Sequence, residues 1–255
     1  MQDITSALCK TIHSLDQTKR RTELGIFKAE GTKCVLDTLG HFTLRCLVAT
    51  RQWYDENPGI ERTLPPESLY CAPRGSMGRI SSLKTPPQVV AVYEIPDRSG
   101  IVIKGLADSN LVLALDTIQD PGNLGTIVRV ADWMGVDTIL ASRETADIFS
   151  PKTVQATMGA IARVKVIYGD LPAMIAEADA PEVYGTYLNG ENINDARLSP
   201  AGIIIIGNEG NGISEAVGAT VTRRLTIPSY PPGRQTSESL NAAIATAITL
   251  AMFRR

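Results

Sequence analysis

Four consecutive isoleucines, Ile203, Ile204, Ile205 and Ile206, constrain the fold of this chain more than any other feature. Successive side chains of a strand point to opposite faces, so a strand that is apolar at every position must be covered on both sides. That is the condition of a strand inside a parallel sheet with helices on both faces. The rest of the second half fits such a sheet. Residues 111–115, 138–141, 164–168, 183–188 and 225–227 read as strands. Residues 124–134, 154–162 and 171–178 read as helices, the first closed by Gly135 at its C′ position. An alanine-rich helix is expected over about 238–253, with Ser237 as N-cap. This alternation predicts an α/β fold.

The first half carries a weaker α/β pattern, with a helix over 32–38 and strands over 42–48 and 89–95. The run Pro96-Asp97-Arg98-Ser99-Gly100 reads as a linker, which divides the chain into domains 1–100 and 101–255. The formal net charge is −2, so no strongly basic balance marks a nucleic-acid binder. The first half is slightly positive and the second negative. Any RNA-gripping surface is therefore expected in the first half, where Lys19-Arg20-Arg21 is the densest cluster; on charge alone the cluster equally reads as a solvated helix end.

Residue types exclude several chemistries. His13 and His41 are the only histidines, so the second half lacks the base of a Ser-His-Asp or Cys-His mechanism, and no metal is expected. Cys9, Cys34, Cys46 and Cys71 have no zinc spacing and read as reduced thiols of a cytoplasmic protein. The longest mostly apolar stretch, 240–253, is too short to cross a bilayer, and no membrane partner is expected.

Three loops that each follow a strand, at 120–125, 207–212 and 227–241, contain glycine and asparagine. Ligands of parallel sheets bind at the carboxyl ends of strands, and glycine lets backbone approach them closely. No Walker sequence or G-x-G-x-x-G is present, which disfavours a dinucleotide domain. The first loop continues as Asp120-Pro121-Gly122-Asn123-Leu124-Gly125-Thr126-Ile127-Val128-Arg129-Val130-Ala131. It resembles the first motif of the SpoU (TrmH) family of RNA ribose methyltransferases, in the SPOUT superfamily. Gly207-Asn208-Glu209-Gly210-Asn211-Gly212-Ile213-Ser214, after the isoleucines, resembles the second motif. Ile227-Pro228 followed by Ser239-Leu240-Asn241-Ala242-Ala243 is similar to the third. In the first half, the run from Arg21 to Lys33 resembles the start of the family's substrate-binding domain, and the region 81–92 resembles its end.

The resemblance implies a parallel-sheet methyltransferase domain tied in a trefoil knot, preceded by a smaller ribosomal-protein-like α/β domain that binds RNA. It implies transfer of a methyl group from S-adenosylmethionine to a ribose 2′-hydroxyl of RNA, with ribosomal RNA favoured and transfer RNA open, by a homodimer joined through the C-terminal domain. Leu188, Gly207, Ile227 and Leu240 are the implied donor-binding residues. The implied catalytic set is Arg129, Asn123, Glu209, Ser239 and Asn241. Arg129 could act as base or as electrostatic stabiliser; a guanidinium pKa above about 12 weighs towards the second. Asp132, at i+3, is a possible ion-pair partner for it. Asn123 could also simply cap its helix. The sequence departs from the family between Pro228 and Ser239, where ten residues replace the usual six or so. The four extra residues are expected to bulge towards substrate, and Tyr230-Pro231-Pro232-Gly233-Arg234 has the composition for such a bulge. An inactive knotted RNA-binding protein that acts in ribosome assembly is the alternative reading.

Overall fold

A computed structural model describes residues 1–231 and 237–255, and divides the chain into two compact units. Unit 1 comprises Met1–Asp97 together with Asp147–Ala162; unit 2 comprises Arg98–Ala146 and Arg163–Arg255. Segment 147–162 thus belongs with the first unit, although its place in the sequence suggests the second.

In unit 1 the order is β1 (Gln2–Asp3), α1 (Ser6–Ser14), α2 (Thr18–Leu24), β2 (Ile26–Glu30), α3 (Thr32–Thr38), β3 (Leu44–Ala49), α4 (Arg51–Glu56), α5 (Ile60–Thr63), β4 (Leu69–Cys71), α6 (Arg74–Ile80) and β5 (Val89–Glu94). The strands form a mixed sheet in the order β1-β4-β3-β5-β2. Helix α8 (Pro151–Thr157) packs on β2, and Phe149, two residues before it, lies against Phe27, ring centroids 4.7 Å apart. The expected helix over 154–162 is instead this shorter one, broken by Met158 and Gly159 at positive φ before a 3₁₀ turn at Ala160–Ala162.

The basic cluster of the first half is not a free patch. It lies on α2, and Arg21 is only 2% exposed. Its guanidinium donates to Asp147 at 2.6 and 3.1 Å, to the Leu15 carbonyl at 2.6 Å and to Thr18 at 2.9 Å. Arg20 pairs with Glu23 at 2.7 Å and Lys19 reaches the same carboxylate at 3.9 Å. A buried guanidinium needs several acceptors to offset its lost hydration, and Arg21 has them. Arg21 thereby anchors helix α2, while Lys19 stays 84% exposed and shares the single Glu23 carboxylate with Arg20. A second buried cation, Lys28, is held by Asp16 at 2.9 Å, Glu30 at 3.2 Å and the Ile80 carbonyl at 2.7 Å. Burial alone would raise the Asp16 pKa, but the Ser82 hydroxyl and the Lys28 ammonium outweigh it and hold the carboxyl below its ordinary value.

Unit 2 is built on a wholly parallel sheet in the order β11-β9-β10-β6-β7-β8. Its strands are β6 (Leu111–Leu115), β7 (Thr138–Ser142), β8 (Lys165–Gly169), β9 (Val183–Asn192), β10 (Gly202–Ile206) and β11 (Arg223–Thr226). The isoleucine strand β10 pairs with β6 and β9, and both β10 and β6 are buried at every residue. The helices are α7 (Pro121–Trp133), α9 (Leu171–Ala178), α10 (Glu215–Gly218) and α11 (Ala242–Phe253). No helix is long and apolar enough to cross a membrane among the described residues.

Two helix starts differ from the sequence expectation. Helix α7 begins at Pro121, with Asp120 as N-cap accepting from the Asn123 N–H at 2.9 Å. Pro121 suits that first position because its missing N–H would have no partner there. Helix α11 begins at Ala242 and not near Glu238: Asn241 is its cap, accepting from Ala243 at 3.0 Å and Ile244 at 3.3 Å. The Asn241 side chain thus satisfies two free N–H groups of the helix, whereas the Ser237 hydroxyl donates to the Ser239 carbonyl at 3.4 Å. The late start leaves Glu238, Ser239 and Leu240 outside the helix, where they line a cavity.

Candidate active site

Strands β6 and β10 lie side by side, yet the chain leaves them in opposite directions, from β6 towards β7 and from β10 towards β11. Such a switch point opens a crevice at the carboxyl ends of the strands. A cavity of about 470 Å³ lies beside it, a size typical of small-molecule sites. Its walls come from the segment after the start of β9, the loop after β10, Ile227 after β11, and the approach to α11.

A break in strand pairing supplies the first wall. Arg224 is opposite Gly185, but the next residue, Leu225, is opposite Glu191. Residues 186–190 therefore leave the ladder, and Thr186, Tyr187, Leu188 and Asn189 face the cavity. Where the chain returns, a Cβ on Gly190 would lie 2.7 Å from the Arg224 carbonyl oxygen, so only glycine fits.

The loop after β10 folds back tightly. Asn208 and Gly212 exchange backbone hydrogen bonds of 3.0 and 2.8 Å. A Cβ on Gly207 would lie 2.5 Å from the Ile213 nitrogen and 2.6 Å from the Gly212 oxygen. The Asn208 side chain accepts from the Gly210 and Asn211 N–H groups at 2.9 and 3.1 Å, and donates to the Thr117 carbonyl at 2.8 Å. Thr117 sits at φ 60°, a costly conformation for a β-branched residue. Its N–H donates to Ser142 at 3.0 Å and its hydroxyl to Asp116 at 3.1 Å, so three hydrogen bonds hold it in place.

One hydrogen-bonded chain links all three motif loops. Asn241 donates from Nδ2 to Oδ1 of Asn123 at 2.9 Å, and Asn123 donates from Nδ2 to Oε1 of Glu209. Both ends fix the direction of this chain. An ionised carboxylate only accepts, and the α11 backbone N–H groups that meet Asn241 Oδ1 only donate, so each amide between them has one permitted orientation. Ser239 joins by donating to the Glu209 carbonyl at 3.3 Å. Asn123 is therefore not the cap of α7; Asp120 is. Asn123→Ala should accordingly leave the melting temperature within a few degrees, since no cap is lost, while turnover falls at least tenfold (~1.4 kcal/mol). Thermal unfolding measured alongside transfer rates checks this, and a destabilised variant with unchanged turnover would reverse the assignment.

Arg129 stands apart from this network. It lies on α7 six residues beyond Asn123, is exposed, and lines no wall of the cavity. Asp132 is not its partner: Arg163 takes that carboxylate in a bidentate pair at 2.8 and 2.7 Å. Among the described residues Arg129 has no ion pair or side-chain hydrogen bond, so its fork of donors is left for a ligand.

Of the nine sequence-derived site residues, the structure brings Leu188, Gly207, Ile227, Leu240, Glu209 and Ser239 to one cavity. Asn123 and Asn241 join them through the hydrogen-bonded chain. Arg234 of the lengthened loop lies outside the described residues, while Tyr230 is 87% exposed. Sequence reasoning missed Asn208, Thr117 and Tyr187. The first stands inside a motif but its clamping role needs the register of the loop; nothing in the sequence marks the other two.

A parallel-sheet domain with three glycine- and asparagine-bearing loops meeting at a switch-point cavity defines a class of α/β ligand-binding enzyme fold. The SpoU rRNA Methylase family model matches residues 110–251. A 23S rRNA (guanosine(2553)-2′-O)-methyltransferase of Bacillus subtilis is 33% identical over 92% of this chain and 90% of its own length. A TrmH-family protein of Porphyromonas gingivalis is 36% identical, with 98% of each chain covered and a TM-score of 0.85. The AdoMet-bound rRNA methyltransferase of Sinorhizobium meliloti is 28% identical over 100% of this chain and 96% of its own, with a TM-score of 0.84. The chain belongs to the SpoU rRNA methylase family.

Proposed function

We propose that this chain transfers a methyl group from S-adenosylmethionine to a ribose 2′-hydroxyl of ribosomal RNA, as a homodimer in the cytoplasm. The observation that carries the reading is the chain Asn241–Asn123–Glu209 at the cavity, with the unpaired Arg129 on the same helix as Asn123. The B. subtilis relative and a Streptomyces viridochromogenes relative, 28% identical over 92% of this chain, are both named as 23S rRNA 2′-O-methyltransferases. That supports ribosomal over transfer RNA.

The cavity suits the donor. Ile227, Leu240 and Leu188 offer apolar faces for a nucleoside, and the backbone beyond Gly207 comes as close as glycine alone permits. The donor supplies an electrophilic methyl carbon on a sulfonium. Ser239 and Glu209, at the cavity wall, hold the polar side of the site, and the two asparagines fix Glu209. Arg129 binds an RNA phosphate and stabilises the negative charge that develops on the 2′-oxygen, which a permanently charged guanidinium does better than it accepts a proton; as the O–CH3 bond forms and the S–CH3 bond breaks to leave S-adenosylhomocysteine, the hydroxyl proton passes to solvent water. Alignment of hydroxyl and methyl by these groups contributes the remaining acceleration. Incubation with labelled S-adenosylmethionine and unmodified large-subunit ribosomal RNA tests the reading: label should enter that RNA and not transfer RNA. RNA binding without any transfer would favour the inactive, assembly-factor alternative.

The trefoil knot of the second domain, the ribosomal-protein-like character of residues 1–100 and its RNA-binding role are parts of the same proposal. The mixed α/β sheet of unit 1 supports the second of these. Dimerisation is supported by α11, which is apolar around its whole circumference and so belongs in an interior. One face packs on α7 and β10, yet Ile244 and Ile248 are exposed, as is Trp133 on α7, at 87%. A second copy covering these residues would bury them. Sedimentation equilibrium should return about twice the chain mass of 27.4 kDa, and a monomer at micromolar concentration would overturn the dimer.

A further inference from the structure

The two arginines of β11 are in different states. Arg223 is engaged, donating to Glu191 at 2.7 Å and to the Arg197 carbonyl at 2.6 Å. Arg224 is exposed and has no carboxylate within ion-pair distance among the described residues; its guanidinium carbon lies 4.7 Å from the centroid of the Tyr187 ring. The ring itself is seated in a slot that two glycines leave open. A Cβ on Gly185 would come within 2.6 Å of ring atom Cε2, and one on Gly218 within 3.1 Å of the hydroxyl. Tyr187 belongs to the segment that leaves the β9 ladder, and Arg224 stands at the residue where the register breaks. A depression of about 310 Å³ lies here, with Glu215 also on its wall. It shares Tyr187 and Ile213 with the larger cavity, whereas Arg224 lines the depression alone.

We propose that Arg224, laid flat on Tyr187, is an RNA-contact site that grips a backbone phosphate of the substrate beside the methylated nucleotide; this rests on the RNA-methylating reading above. A guanidinium stacked on a ring keeps its in-plane N–H edges free, and that planar fork matches a phosphate. The stack fixes the side chain beforehand, so less freedom is lost when the anion binds. Because Arg224 does not line the donor cavity, a phosphate of RNA fits it better than the carboxylate of the donor.

The test uses the full-length protein and unmodified large-subunit ribosomal RNA transcribed in vitro. Arg224→Gln should raise the Kd for that RNA about tenfold and lower the slope of log K against log salt by about 0.7–0.9, the loss of one phosphate contact. The Kd for S-adenosylmethionine should stay within twofold. Arg224→Lys, which keeps the charge but not the fork, should preserve the salt slope and still bind several-fold more weakly. An unchanged RNA Kd and slope in both variants overturns the proposal, and so does a loss of donor affinity with RNA binding intact. If wild-type protein fails to methylate the RNA at all, the failure lies with the reading it rests on.

Discussion

Replacing Arg129 by alanine is expected to cut methyl transfer about 10²–10³-fold, the scale seen when a charge-stabilising donor is removed from an active site. Donor affinity should stay within a few-fold, since Arg129 lines no part of the cavity. Stability should hardly change, because the side chain is exposed on α7 and no ion pair or side-chain hydrogen bond is lost among the described residues. Arg129→Lys should recover only part of the rate, as an ammonium keeps the charge but loses the planar pair of donors. Single-turnover kinetics with saturating RNA check the rate, and calorimetry with S-adenosylmethionine checks the binding. Near wild-type turnover for the alanine variant would remove Arg129 from the mechanism.

Gly207→Ala should produce the other large effect, through the backbone of the turn rather than through charge. The added methyl would meet backbone atoms of Gly212 and Ile213, which cannot rotate away as a side-chain end could. The turn from Asn208 to Gly212 would have to open, and it also carries Glu209 and the Asn208 clamp on Thr117. Overpacking of this kind costs about 1–3 kcal/mol. For a domain of this size that is a fall in Tm of roughly 2–12 °C, from about 2–4 °C per kcal/mol. Donor affinity should fall at least tenfold (~1.4 kcal/mol), because the same turn forms the cavity wall. A variant that binds the donor normally would show that the turn does not shape the donor site.

How far the sequence alone reached depended on whether a feature was local. The isoleucine strand announced a buried parallel sheet because period and polarity are local properties, and β10 is buried at each residue. The loops 120–125 and 207–212 were legible for the same reason. The start of α11 was not: helix propensity runs back through Glu238 and Leu240, and only the competition between Asn241 and Ser237 for the capping position decides the boundary. Lys19-Arg20-Arg21 read as a possible RNA grip because charge is visible in sequence and burial is not. Arg21 is consumed by Asp147, 126 residues away. Asp132 was misassigned likewise, its true partner Arg163 being 31 residues distant. The break in the β9 ladder that exposes Tyr187 and Leu188 to the cavity is a matter of register between strands, which no single segment encodes.

A ribose 2′-hydroxyl as acceptor shows itself in the chemical form of the transferred methyl. Unmodified large-subunit ribosomal RNA, treated with the protein and labelled S-adenosylmethionine, is digested to nucleosides and resolved by mass. A parallel sample is hydrolysed in alkali, which cleaves RNA only where the 2′-hydroxyl is free. The label should appear in a single 2′-O-methylnucleoside and survive alkali as a dinucleotide. Label carried on a base, with every ribose open to alkaline cleavage, would rule out the 2′-hydroxyl as acceptor.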